Sequence, residues 1–246
     1  MLKEASWSIS DAQVGGKTED EAYYFSTLLK RLESKSHGKI KRIADIPCGW
    51  GRHDAILRKN DFDVYGVDRE PVFINRARTL HPRLKDKYSV ADMMATGFES
   101  GFFDAVLNIF SSFGFLDMRG NMQTLKEFNR ILRKNGLLVI DTHNYDAMPK
   151  TFNPLSINFV GKEVLRLTKT SVEARYLVLN EEFLEKNAKG YRIIWKNKKK
   201  IRFFTLSELK EMLNSSGFRV LNIYEYGNFK PAIKSTRKVV VVATKL

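Results

Sequence analysis

The sequence holds one cysteine, Cys48, in 246 residues. It cannot close an intramolecular disulfide, and no grouping of Cys and His offers the three or four ligands of a zinc site, so no metal is expected. No apolar run approaches the roughly 18 residues of a membrane span. The stretch MLKEASWSIS lacks the charged-then-apolar pattern of a secretory signal. A soluble cytoplasmic protein that meets no membrane is the expectation. Two phosphate-binding patterns are also missing. G-x-x-x-x-G-K-[ST] is absent, and the one glycine-bearing turn of interest, DIPCGWGRHD, has Asp54 where G-x-G-x-x-G places its third glycine. A carboxylate at that helix start repels a pyrophosphate, so a dinucleotide is disfavoured.

Charge is plentiful and lopsided. The net charge is +14. Residues 1–150 hold 23 Lys and Arg against 20 Asp and Glu, while residues 151–246 hold 19 against 8. A basic C-terminal part suits RNA or an acidic partner, or simply a solvated surface. The densest run, KNKKK at 196–200, reads as a hairpin turn carrying solvated lysines.

Apolar runs that suit buried strands occur at KRIADI (41–46), FDVYGVD (62–68), KYSVADM (87–93), DAVLNIF (104–110) and NGLLVIDTH (135–143). Helical spacing lies between them. Met122, Leu125, Phe128, Ile131 and Leu132 share one face, and Gly136 suits the stop. Five buried strands with helical crossovers predict a parallel sheet covered on both faces, hence an α/β fold.

From 151 to 204 the pattern becomes β-rich: EVLRLTKTSV, ARYLVLNEEF, YRIIWK and KIRFFT, separated by polar turns, predict an antiparallel insertion. Helical spacing returns in TLSELKEMLNSSGF, where Thr205 and Glu208 have capping-box spacing. RVLNIYEY and KVVVVATKL then supply two closing strands.

The loop after the first strand therefore needs a ligand without phosphate, and cationic S-adenosylmethionine fits. The residues resemble the class I S-adenosylmethionine-dependent methyltransferases, whose first motif is D-x-G-x-G-x-G. DIPCGWG matches at Asp45, Gly49 and Gly51, and Pro47 departs from it within a PCG-x-GRH-like variant. The resemblance spans about 40–145 and 203–245. It implies a Rossmann-like, doubly wound, mostly parallel seven-stranded sheet with an antiparallel β insertion. The expected division is a core with an N-terminal helical lid at 1–150, an insertion over the site at 151–204, and the remainder of the core at 205–246.

The same resemblance assigns candidate cofactor residues: Asp45, Pro47, Gly49, Trp50 and Gly51 in the loop, Asp68 for both ribose hydroxyls, Asp92 for the adenine amine, Met93 against the ring, and Asn108. The segment NIFSSFGF (108–115) borders the transferred methyl, with Ser111 and Phe113 in the acceptor pocket. Tyr23 and Tyr24, on the N-terminal helix, either shape that pocket or pack the core. Other roles compete with these. Asp68 before Pro71 also suits a helix cap, Asp92 an ordinary turn, and Trp50 an exposed turn residue. Arg52 and His53 reach the cofactor carboxylate or solvent, and Cys48 reads as a packing residue.

Several chemistries are excluded on mechanism. Cytosine C5 methylation needs a nucleophilic cysteine, and Cys48 sits inside the loop. The [DNS]-P-P-[YFW] motif of adenine N-methylation is absent, and Asp141 alone is weak support for a catalytic metal. What remains is transfer to an oxygen or nitrogen, aided by orientation. His143 is the candidate general base, or a structural hydrogen-bonder at a strand end. A small-molecule acceptor leads, followed by RNA or protein, then a non-catalytic cofactor-binding module. Trp195, Phe203 and Phe204 exposed among lysines would favour RNA, and the same rings turned inward a small acceptor.

Overall fold

The computed structural model describes residues 18–33, 38–150, 153–160 and 164–246. Seven strands form one sheet: β1 (Arg42–Asp45), β2 (Asp63–Asp68), β3 (Tyr88–Val90), β4 (Phe103–Asn108), β5 (Leu132–His143), β10 (Phe218–Glu225) and β11 (Lys238–Lys245). Their spatial order is β10-β11-β5-β4-β1-β2-β3. The strands from β5 to β3 run parallel, and β11 is antiparallel to both its neighbours. This is the α/β architecture that the alternation of runs predicts. Among the described residues no helix is long and apolar enough to cross a membrane.

Period-two alternation decides what each face of the sheet buries. Ala44, Val106, Leu138, Ile140, Val239 and Val241 pack on one side against α4 (Met118–Ile131) and α5 (Leu206–Ser215). Ile43, Ala105, Leu107, Val139, Val240 and Val242 pack on the other against α1 (Thr18–Leu32). Two shorter helices, α2 (Asp54–Lys59) and α3 (Pro71–Leu80), follow β1 and β2. The capping box forms as predicted: Glu208 N–H donates to Thr205 Oγ1 at 3.1 Å, and Thr205 N–H to Glu208 Oε2 at 2.8 Å.

The second sheet is antiparallel, in the order β6 (Leu155–Val160), β7 (Val164–Glu173), β8 (Tyr176–Asn187), β9 (Gly190–Arg202). Here the sequence reading needs three corrections. KNKKK is not a turn: Lys196 to Lys200 lie inside β9, opposite Glu182 to Val178. Glutamates on β8 make that strand tenable, because Lys196 pairs with Glu182 at 2.8 Å and Lys199 with Glu181 at 3.1 Å. YRIIWK and the start of KIRFFT are consequently one strand, and the tight turn lies at 188–189. β6 has no counterpart among the predicted pieces.

Gly136 is the third correction. It does not stop α4, which ends at Ile131, but lies inside β5 beyond a bulge opposite Phe103 and Ala105. A Cβ there would stand 2.8 Å from the Arg133 carbonyl oxygen, so strand geometry demands the glycine.

The two sheets are joined through Glu208, which takes Arg175 at 3.2 Å and Arg202 at 3.3 Å. Gly114 helps, since a side chain there would collide with the Arg202 carbonyl.

Candidate functional site

The carboxyl ends of the parallel strands form one rim, where open α/β sheets carry their ligands. At the end of β1 the chain turns through a cis Ile46–Pro47 peptide, and Gly49 and Gly51 take φ of +57° and +72°. Those angles favour glycine. Gly51 also has no room for a side chain, because the Tyr88 hydroxyl lies directly beneath it. Cys48 is buried with Tyr88, Ile74, Ala77 and Leu84, the packing role its residue type suggests.

The loop is tied to β2 through Asp68, whose Oδ2 accepts from Gly49 N–H at 3.0 Å and Oδ1 from Glu70 N–H at 2.9 Å. Each oxygen keeps a lone pair for a further donor. Burial raises the Asp68 carboxyl above its ordinary value against those two hydrogen bonds. The N-cap of α3 is Glu70, without a side-chain cap, so Asp68 does not cap that helix directly. After β3, Asp92 Oδ1 accepts from Met94 N–H at 2.8 Å, closing a tight turn that presents Met93. Asn108 is fully buried at the end of β4; its Nδ2 donates to the Ile46 carbonyl at 2.7 Å and lies 4.0 Å from Met93 Sδ, while its Oδ1 accepts nothing. Two sets of contacts thus line the rim: Asp68 with Gly49, and Asn108 with Ile46 and Met93. Trp50 carries the Arg76 guanidinium over its ring at 4.8 Å.

Beyond β4 the backbone is strained. Phe110 and Ser111 have φ of +63° and +58°, an uncommon conformation for side-chain-bearing residues. Ser111 N–H donates to Asp141 Oδ1 at 2.7 Å, which holds the turn against β5. Phe113 is buried in the core, its ring 5.3 Å from Phe204. His143 ends β5 with its ring 5.3 Å from Phe203, and its Nδ1 is buried without a partner. Burial first, and then the charges of Lys238 and Arg237, push its pKa down to about 4. The ring is neutral at physiological pH.

A second group of residues closes the rim from the side of α1, and sequence reasoning did not find it. Glu21 accepts from Arg52 Nη1 at 2.6 Å and His53 Nε2 at 3.1 Å, and Arg52 Nη1 also reaches Thr18 Oγ1 at 2.9 Å. Burial opposes the Glu21 charge, yet the His53 hydrogen bond and the Arg52 guanidinium hold its pKa down at about 2. Arg52 and His53 therefore fasten α1 to the loop. The GRH run that follows Trp50 was the available signal, but its partner lies 32 residues away in sequence for His53. Tyr24 donates to the Asn228 carbonyl at 3.2 Å and stacks on Phe229, whereas Tyr23 is exposed. Lys238 meets Asp141 at 2.8 Å.

Seen as a donor and acceptor set, the rim is rich in acceptors. Both Asp45 oxygens and the Asn108 Oδ1 are buried without a donor, and Asp68 retains lone pairs. Unsatisfied buried acceptors are costly, so the arrangement suits a ligand that brings hydroxyls, amines and positive charge. S-adenosylmethionine brings all three; a pyrophosphate brings none. Among the described residues no group of three or more His, Cys, Asp or Glu could hold a metal.

Comparison with known proteins agrees. Residues 44–140 match the family described as Methyltransferase domain. The chain is 32% identical over 137 residues to the glycine/sarcosine N-methyltransferase of Parasynechococcus marenigrum (strain WH8102), covering 54% of this chain and 46% of that one. It thus spans about half the length of that relative. It is 24% identical over 204 residues to the putative methyltransferase YqeM of Bacillus subtilis (strain 168), covering 80% of this chain and 81% of that one. In fold it matches the S-adenosylmethionine-bound amino pentose methyltransferase CalS10 of Micromonospora echinaspora, with a TM-score of 0.72 at 22% identity over 100% of this chain and 97% of that chain. In the residues matched and in fold, the chain is similar to the class I S-adenosylmethionine-dependent methyltransferases.

Proposed function

We propose that the protein transfers the methyl group of S-adenosylmethionine to a nitrogen or oxygen of a small-molecule acceptor, held between the rim and the β6–β9 sheet. The observation that carries the small acceptor is the inward direction of Phe203 and Phe204. Both are buried, against His143 and Phe113, and neither is offered among lysines as a stacking platform. Trp195 is half-buried with its ring 4.9 Å from Phe183. The related proteins named for glycine, sarcosine and an amino pentose support an amine among the possible acceptors.

When bound, S-adenosylmethionine supplies a methyl already activated on a sulfonium. The chain's residues then have to bind, align and exclude water. In this reading Asp68 accepts the ribose hydroxyls, Asp92 the adenine amine, Met93 lies on the ring, and the Asp45–Gly51 loop with Asn108 holds the amino-acid end. Ser111 fixes the floor of the acceptor pocket through Asp141. His143 Nδ1, neutral and unpartnered, takes a proton from the acceptor; its low basicity suits an acceptor whose acidity rises as the new bond forms.

The test is to incubate the protein with isotopically labelled S-adenosylmethionine and fractionated cell extract. Label in the small-metabolite fraction is expected. Label confined to RNA or protein would transfer the role to the basic part at 151–246.

A further inference from the structure

We propose that Asp54 is a second cofactor-binding carboxyl: together with Asp45 it forms a proton-sharing pair that receives the ammonium of the cofactor's amino-acid part and releases its proton on doing so. The proposal rests on the S-adenosylmethionine reading above and extends it to a residue outside the family motif matched here.

The geometry is that of a buried carboxyl pair without donors of its own. Asp45 ends β1 and Asp54 opens α2, and each is 1% exposed. The two carboxyls lie close enough for each to act on the other's charge. Among the described residues no amide or basic side chain donates to any of the four oxygens. The Tyr88 hydroxyl lies beside Asp54 without a well-aligned hydrogen bond. On the neighbouring strand β4, Asn108 donates to the carbonyl of Ile46, the residue after Asp45, and its equally buried Oδ1 has no partner among the described residues. That oxygen is an independent acceptor that also calls for a donor.

Two carboxylates in contact away from water cannot both be charged, so without a cation the pair keeps a proton between them. Burial and the neighbouring carboxyl raise Asp45, and burial lifts Asp54 to about 6. The surrounding groups do not change this. Asp68 adds negative charge, the Cys48 thiol is pushed up by burial, and the Tyr88 hydroxyl is raised and stays protonated. His81, packed near Gly51, is lowered by burial. Among the described residues Arg52 is the cation that acts on Asp45; its Nη1 is committed to Glu21 and Thr18, while its Nη2 is buried without a partner. With no third ligand for a metal among the described residues, an organic ammonium is the occupant that matches. Its arrival makes two charges tolerable, and the shared O–H bond breaks with the proton passing to buffer.

The experiment is calorimetry of S-adenosylhomocysteine binding in buffers of different ionisation heat at about pH 6.5, on wild type, Asp54→Asn and Asp54→Ser. Wild type is expected to release close to one proton and to gain affinity by up to about tenfold per pH unit between about pH 6 and 8, the limit for one linked proton. The variants should release none and show a flat profile. Binding with equal proton counts in wild type and variant overturns the pair's role alone. If neither variant folds, the wild-type count decides, and zero release overturns the proposal. Failure of folded wild type to bind the ligand overturns the cofactor reading as well.

Discussion

The rim of the parallel sheet and the β6–β9 sheet handle charge in opposite ways. At the rim, Asp45, Asp54 and Asn108 are buried with acceptors that nothing satisfies. In the β6–β9 sheet charges meet their opposites across strands: Lys196 with Glu182, Lys199 and Arg166 with Glu181, Arg192 with Glu185. Unpaired buried groups are tolerated where a ligand completes them, while charges paired across strands need no ligand, and the exposed pairs among them contribute little. A large positive charge is thus a poorer guide to function than a few orphaned oxygens.

This contrast can be broken at several points. The most damaging change lies where the two regions meet. Phe204 is fully buried, bridges to Asn144 and accepts from Tyr145 N–H at 3.0 Å. Phe204→Ala should cost about 3–5 kcal/mol, read as a fall in denaturation midpoint. A loss below about 1 kcal/mol would mean that the two sheets do not depend on each other there.

His143 comes next. Its folded pKa of about 4 lies below the unfolded value of 6.5, so the unfolded chain binds more protons between the two. Stability from this group is present above about pH 6.5 and lost as pH falls toward 4, by roughly 3 kcal/mol at 1.4 per unit. The raised Asp54 acts in the opposite sense over part of that window. The difference between wild type and His143→Asn isolates the histidine: the wild type should lose more stability on acidification. Parallel curves would show that burial does not hold the ring neutral.

On the proposed reading, Asp68→Ala removes acceptors for two ribose hydroxyls at roughly 1.5–3 kcal/mol each. Cofactor affinity should fall by at least about tenfold in calorimetry. An unchanged affinity in a folded variant would shift the site elsewhere. The smallest effect is expected in β9, where Lys198, Lys199 and Lys200 changed together to Ser should leave turnover of the true acceptor within about threefold. A hundredfold loss recovered at low salt would give those lysines a phosphate-binding role.

Much of this was legible in the residues. Buried strands at 42–45, 63–68, 103–108 and 238–245 show in apolar runs because both faces of the sheet are covered. The loop glycines and the order Asp45, Asp68, Asp92 are local signals, and they identified a candidate site. Long-range pairing was not legible. Nothing within KNKKK reveals that glutamates on the preceding strand neutralise it, and a lysine-rich run has weak strand propensity alone. Gly136 has the right type for a helix stop, but the close approach of the Arg133 carbonyl is a property of the bulge. Asp54 stands out in the sequence as the residue in place of a third glycine, yet its partner Asp45 is nine residues earlier across the loop. Fastening of the loop by Glu21 was invisible for the same reason.

Tyr88 has a consequence for how this chain can vary. Its ring lies so close to Gly66 that a Cβ there would stand 2.6 Å from it, and its hydroxyl leaves no space above for anything but Gly51. The three positions, on different elements, form a single steric unit. A larger residue at 66 needs both the tyrosine ring and the Cys48 thiol to give way, and at 51 the φ of +72° disfavours a side chain even after the tyrosine is made smaller. Substitution at 66 must therefore follow changes at both neighbours, and the two glycines are inherited together with one phenol.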